Sequence, residues 1–263
     1  MAGAPARSGE TRRQQYLQAM GIQLWQSRHA VPVDAVASAS PAADAVEQQP
    51  VALEQPAPAV PPVKQTKAGG APERPDVSTL DWAQLQAAVS ECRLCDLHAS
   101  RTQTVFGVGN RSADWLVVGE APGKDEDLQG EPFVGRAGQL LNAMLLAAGL
   151  KREQVYIANI LKCRPPNNRD PRPEEVVCCE PYLARQIALI QPRIILAVGR
   201  IAAQNLLKTD TPIGKLRGVV HRYADTGIPV VATYHPAYLL RSPLDKRKAW
   251  IDLQLAMATA AQA

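Results

Sequence analysis

The sequence predicts an α/β protein with a mostly parallel sheet and helices on both faces. Three observations carry that expectation. Strand-length runs rich in Val and Ile recur at 115-WLVVG-119, 155-VYIANI-160, 194-IILAVG-199 and 228-IPVVATY-234. Helical segments separate them: 137-AGQLLNAMLLAAG-149, with Gly149 as a stop, 173-PEEVVCCEPYLARQIALI-190 and 200-RIAAQNLL-207. The resulting order β-α-β-α-β-α-β is that of parallel strands joined by crossover helices.

The N-terminal third reads differently. Residues 11–28, TRRQQYLQAMGIQLWQSR, form an amphipathic segment ending near Gly21, followed by an isolated Trp25. A helix this short is marginal on its own, so residues 1–30 are read as a docking-peptide candidate, with an ordinary tail as the alternative. From Val31 to Pro75 there are nine of the 22 prolines and no aromatic residue. Such a stretch has little to bury, so 31–76 is expected to be a disordered Ala/Pro-rich linker, with the folded domain spanning 77–263.

In a parallel α/β sheet the site lies at the carboxyl ends of the strands. The first strand runs into GEAPG, the second into Asn159 and the loop KCRPPNNRDPRP, the third into Gly199-Arg200, and the fourth into 234-YHPAYLLR-241. Glu120, Asn159 and His235 are thereby delivered to one rim. Taken singly, His235 is more often a structural histidine and Asn159 a turn cap.

The glycine loop is not a phosphate cradle. A P-loop needs G-x-x-x-x-G-K-[ST], whereas Gly119-Glu-Ala-Pro-Gly123-Lys124-Asp125 is one residue short and lacks the metal-binding hydroxyl. Its carboxylates, Glu120, Asp125, Glu126, Asp127 and Glu131, would repel phosphate. They suit activation of a water or reading of donor groups on a ligand.

The formal net charge of +4 does not announce a nucleic-acid protein, although Lys162/Arg164/Arg169/Arg172 and Lys246/Arg247/Lys248 are local basic clusters. No apolar run approaches the roughly 20 residues of a membrane span, and the N-terminus lacks a signal-peptide core. The expectation is a cytoplasmic protein with no membrane partner. Five cysteines in a reducing compartment then point to metal or redox chemistry. Cys92 and Cys95 form a C-x-x-C, with Cys163 and Cys178-Cys179 further along. Four thiolates suit tetrahedral zinc or a 4Fe-4S cluster, and spacing leaves the choice open. Asp96 after Cys95 excludes c-type haem attachment.

In combination, GEAPGKDED-x3-EPFVGRAG, ANILKCRPPNNRDP, C-x-P-Y-L, AVGR-x-A and YHPAYLLR resemble the family 4 uracil-DNA glycosylases, the iron-sulfur branch of that superfamily. The match runs from about Leu80 to about Trp250. The resemblance implies a three-layer α/β/α fold with a central four-stranded parallel sheet. It also implies a 4Fe-4S cluster on Cys92, Cys95, Cys163 and Cys179, with Cys178 spare.

By the same resemblance the chain is a monofunctional glycosylase acting on uracil-containing DNA, nucleoid-associated and monomeric, that leaves an abasic site for base excision repair. A flipped uracil would stack on Phe133, one of two phenylalanines, with Ala121 also lining the base site. The Asn159 amide would accept from N3-H and donate to O4, which cytosine cannot match. Glu126 would stand beside C5 against a thymine methyl. His235 would stabilise charge at O2, and Glu120 would hold the water or the sugar cation, a role that Asn168 and Glu126 could share. Leu239 to Arg241 would enter the DNA, and the loop from Lys162 to Arg172 would lie on phosphates. No histidine occurs in CRPPNNRDPRPEE, so the covalent trapping of a related branch is not expected.

Outside this match, the R-R-x6-M-G-I-x2-W-x2-R pattern resembles the peptide by which the psi accessory subunit of bacterial DNA polymerase III docks on the clamp loader. It implies replisome or clamp-loader contact through residues 11–28. The rival expectation is a scaffold that binds uracil DNA with weak or no catalysis.

Overall fold

The computed structural model describes residues 75–223 and 226–263. The docking-peptide candidate and nearly all of the expected linker lie outside the described residues. Helix α1 (Trp82–Glu91) is the first helix of the described residues, with Asp81 as its cap: its carboxylate accepts from Gln84 N, while Gln84 Oε1 accepts from Asp81 N. There follow β1 (Val108–Gly109), β2 (Trp115–Gly119), α2 (Lys124–Gln129), α3 (Arg136–Ala147), β3 (Tyr156–Asn159), α4 (Pro173–Ile190), β4 (Ile194–Val198) and α5 (Arg200–Leu207). The chain ends with α6 (Ile213–Leu216), β5 (Val220–Tyr223), β6 (Ile228–Thr233), α7 (Pro236–Arg241) and α8 (Lys246–Gln262).

Among the described residues the sheet has six strands in the order β1-β3-β2-β4-β6-β5. Neighbours among β3, β2, β4 and β6 are parallel, while β1 and β5 pair antiparallel at the two edges. The expected four-stranded parallel sheet is therefore corrected to a six-stranded mixed one. The reason is physical: β1 is two residues long and β5 is half-exposed, so neither forms an apolar run.

The inner strands sort their side chains by the two-residue period of a strand. Leu116, Val118, Ala158, Ile195 and Ala197 join one core cluster with residues of α1, α4 and α5. Trp115, Val117, Ile157, Leu196 and Val198 join the other, with residues of α3 and α8. Two helical layers thus sandwich the sheet, and its four inner strands end on one side of it. None of the helices among the described residues is long and apolar enough to cross a membrane.

Candidate active site and thiol recess

The cleft is assembled at those strand ends. Pairing continues past β2 and β3, with Ile160 N–H donating to Gly119 O and Leu161 N–H to Glu120 O, both at 3.0 Å. Glu120 is thereby set beside Asn159. On the other side, Gly199 N–H donates to Thr233 O at 2.8 Å and ties the end of β4 to that of β6. Gly199 has φ 97°, and a Cβ there would lie 3.0 Å from His235 Cβ. Glu120, Ala121, Glu126, Phe133, Asn159, Asn168 and His235 all line one cleft of about 470 Å³.

Phe133 forms a wall of this cleft, its ring stacked on that of His235 at 5.6 Å and 30°. Its backbone is held at φ 55°, a strained left-handed conformation for an aromatic residue. Two neighbours hold it there. A Cβ at Gly138 would sit 1.8 Å from Phe133 O, so only glycine allows this approach. The Arg152 guanidinium donates to Pro132 O at 2.6 Å and to Phe133 O at 3.4 Å. Nothing in the sequence marks Arg152, which lies outside every motif.

Asn159 is 2% exposed, and its Oδ1 has no hydrogen-bond partner among the described residues. Buried amide oxygens are nearly always paired, so this one is left free to accept from whatever enters the cleft. Gly119 makes room for it: a Cβ there would fall 2.5 Å from Asn159 Oδ1 and 2.6 Å from the Phe133 ring.

His235 caps α7, and its Nδ1 accepts from Ala237 N–H at 3.1 Å. Burial, reinforced by the Arg241 charge and opposed by Glu126, pushes its pKa down to about 4. The ring is therefore neutral at pH 7, with its one proton on Nε2. That leaves an N–H donor for a ligand in the cleft. Burial, the nearby Asp170 carboxylate and the weaker opposing pull of Arg200 set Glu120 the other way, up to about 7. Half-ionised near neutrality, Glu120 is poised as a base.

Glu126 is more constrained than sequence reasoning could show. Its Oε2 accepts from Gly123 N–H at 3.1 Å, and its Oε1 from Val134 N–H at 3.0 Å and Gly135 N–H at 3.3 Å. It closes the loop between α2 and Phe133 and has no freedom to swing. Asn168, at φ 53°, accepts from Arg164 Nε at 2.8 Å through Oδ1.

Two expectations are overturned. Leu239 is fully buried and packs in the core under α7, so it does not face DNA; Leu240 and Arg241 are exposed. Lys162, read as a phosphate contact, is 1% exposed and bonded inside the protein. In the same loop Arg169 pairs with the buried Glu175 through two hydrogen bonds, which leaves Arg172 as its freely exposed cation. Tertiary packing chose these directions, and the basic composition of the loop conceals them.

Behind the cleft, all five cysteines line a second recess together with Arg101, Lys162 and Tyr182. Arg101 donates to Cys163 Sγ at 3.1 Å and Lys162 N–H to Cys179 Sγ at 3.3 Å. Cys178 instead donates its thiol to Leu94 O at 3.3 Å. Burial, with the neighbouring sulfurs adding to it, raises Cys95 to about 11 and Cys179 to about 12. Thiolates here would require a compensating positive centre.

Comparison with known proteins decides what the cleft belongs to. The uracil DNA glycosylase superfamily profile matches residues 106–254. A type-4 uracil-DNA glycosylase of Archaeoglobus fulgidus is 53% identical over 161 residues, covering 59% of this chain and 81% of that protein. The chain belongs to the uracil-DNA glycosylase superfamily. Within it the type-4 branch is the near one. A type-4 enzyme of Thermotoga maritima is 46% identical over 155 residues (59% of this chain, 80% of that protein), against 32% over 149 residues for a type-5 enzyme of Pyrobaculum aerophilum (50% and 64%). The superfamily match takes in both the glycine loop and the histidine of α7, and so spans the whole cleft.

Proposed function

We propose that this uracil-DNA glycosylase flips deoxyuridine into the cleft and hydrolyses its N-glycosidic bond, releasing uracil and leaving an abasic site. The orphaned Oδ1 of buried Asn159 carries this reading, because a uracil edge supplies what the amide lacks. The amide accepts from N3–H and donates to O4. Cytosine, with an amine at C4 and no N3–H, leaves it unpaired, and such mismatches are strongly rejected.

The other residues follow from the cleft. Phe133 is the stacking surface for a base extruded from the duplex, a contact worth ~1–3 kcal/mol. Glu126, held by three backbone N–H groups, and Ala121 wall the base site, with the fixed carboxylate beside C5 where a thymine methyl would collide. As the bond to the sugar breaks, negative charge grows on the uracil. The Nε2–H of neutral His235 stabilises it at O2, and a donor of this kind contributes roughly 3–4 kcal/mol. Glu120 takes a proton from the attacking water and faces the cationic sugar, with Asn168 completing the water site. Among the described residues no lysine lines the cleft, so the reaction stops at the abasic site.

The recess behind the cleft fits a 4Fe-4S cluster on Cys92, Cys95, Cys163 and Cys179. Four thiolates are the donor set of either tetrahedral zinc or a 4Fe-4S cluster, and the similarity to the type-4 branch favours the cluster. Arg101 and Lys162 aim N–H groups at Cys163 and Cys179, as anionic sulfur requires, whereas Cys178 spends its proton on a carbonyl. Bound there, the cluster supplies iron–thiolate bonds that tie the segment after α1 to the β3 loop and α4.

The test is base release by Asn159→Ala and His235→Ala variants whose visible cluster absorbance matches wild type. Each is expected to lose at least about 100-fold in rate, the order expected for an orphaned buried group or a lost charge-stabilising donor. Activity within a few-fold of wild type would refute the assigned roles.

A further inference from the structure

Lys162 takes no part in the chemistry above, yet it is buried deeply between the cleft and the thiol recess. Its ammonium donates to two neutral oxygens, the backbone carbonyl of Asn159 at 3.1 Å and Gln186 Oε1 at 2.7 Å. Gln186 is itself oriented, because its Nε2 donates to Phe106 O at 3.0 Å. Among the described residues no carboxylate forms an ion pair with Lys162.

A buried cation without a counter-charge is strongly unfavourable and tends to shed its proton, so negative charge close by is what keeps this amine an ammonium. Among the described residues the sulfurs of the recess are placed to provide it. Cys163 is the next residue, and the Lys162 backbone N–H reaches Cys179 Sγ. A cube held by four thiolates is net anionic, and a lysine against it balances both charges. The same ammonium fixes the carbonyl of the residue whose side chain reads the base.

We propose that Lys162 is a positioning residue that joins the two centres: the cluster's thiolates hold its charge in place, and its Nζ holds the backbone of Asn159. The inference rests on the reading of Asn159 and of the four cysteines given above. The iron–sulfur centre thereby has a purpose in base recognition that does not require it to transfer electrons. It anchors the cation that anchors the uracil-reading amide.

Two variants of the cluster-loaded enzyme separate the halves of the idea. Lys162→Met removes the charge and the strut while keeping the shape. Gln186→Glu keeps an oxygen on the ammonium but makes it a carboxylate's; the second oxygen gives up the hydrogen bond to Phe106 O and turns to the Tyr156 hydroxyl, which is near enough to donate to it. The measurements are the cluster's midpoint potential by voltammetry and the inhibition constant of free uracil.

Both variants are expected to shift the potential to more negative values, since each takes positive charge away from an anionic centre. Lys162→Met is expected to weaken uracil about tenfold, equivalent to ~1.4 kcal/mol, while Gln186→Glu stays within about twofold. A general folding defect would reduce the loaded fraction without moving the potential of what remains. Wild-type potential or wild-type uracil affinity in Lys162→Met overturns the proposal. If that variant loses its cluster, an unmoved potential in Gln186→Glu overturns it instead. Asn159→Ala in the same assay tells the failures apart. If Asn159→Ala binds uracil normally, the reading of Asn159 fails and this inference with it; if only Lys162→Met binds normally, this inference alone fails.

Discussion

Replacing Glu120 by Gln should make the enzyme more stable and nearly inactive at once. The carboxyl is raised from 4.5 to about 7, mainly by burial, which means the folded protein resists its ionisation. Below pH 4.5 it is protonated in folded and unfolded chains alike, and wild type and variant differ little. Between 4.5 and about 7 the unfolded chain ionises first and wild type loses stability relative to the variant; above 7 the difference is complete. Its upper bound is about 3.4 kcal/mol, at ~1.36 kcal/mol per pH unit. Glu120 is half-buried at the cleft wall, and screening by water there reduces the figure to ~1–2 kcal/mol.

For a folded part of this size, Glu120→Gln should melt about 2–8 °C higher at pH 8 and close to wild type at pH 4. Scans at one fixed rate are needed, because loss of the proposed cluster on unfolding would make the transition irreversible. The same substitution should lower kcat by ~10²–10⁴, the usual contribution of a general base. Wild-type kcat/KM should correspondingly rise with pH through about 7, and His235, neutral down to about pH 4, should add no limb between 6 and 8. A variant that is no more stable at pH 8, or that keeps wild-type turnover, would refute the reasoning.

Gly119→Ala should abolish uracil selectivity without unfolding the protein, since the new Cβ meets Asn159 Oδ1 and the Phe133 ring rather than backbone; unchanged rates on U-containing DNA would contradict this. Cys179→Ser should lose the visible absorbance of the cluster and Cys178→Ser should keep it, as iron content per chain will show. The reverse result would exchange the two ligands. Arg152→Met should release the carbonyls of Pro132 and Phe133 and raise KM for uracil DNA about tenfold, a lost charged hydrogen bond being worth ~1.5–3 kcal/mol; an unchanged KM would show that Phe133 needs no clamp.

The inner sheet was readable because strands buried on both faces are continuous apolar runs, as at WLVVG and IILAV. Its edges were not. Strand β5, Val220–Tyr223, alternates exposed and half-buried positions, and α8 is rich in Ala with only Ala249, Asp252, Leu253 and Ala256 buried, so neither carries a strong signal. Glu120, Asn159 and His235 could be gathered on one rim by the rule that sites lie at the ends of parallel strands. What each does depends on partners that no linear pattern displays: the amide of Ala237 that selects the His235 tautomer, the three N–H groups that immobilise Glu126, and Gly119 facing Asn159. Lys162 shows the limit most clearly. A lysine beside Arg164 looks like a phosphate contact, and only packing reveals that it points inward to Asn159 and Gln186.

In the proposed reaction a single cleft recognises uracil by the Asn159 amide and cuts its glycosidic bond. The direct measurement uses a labelled oligonucleotide with one deoxyuridine, beside matched thymidine and deoxycytidine controls, with free base read by mass spectrometry and strand cleavage after alkali. Uracil should appear in step with alkali-labile strands, with no added cofactor and at the same rate in the presence of chelator, and neither control should react. Binding of the uracil strand without release of the base, or release of cytosine at a comparable rate, would contradict the account.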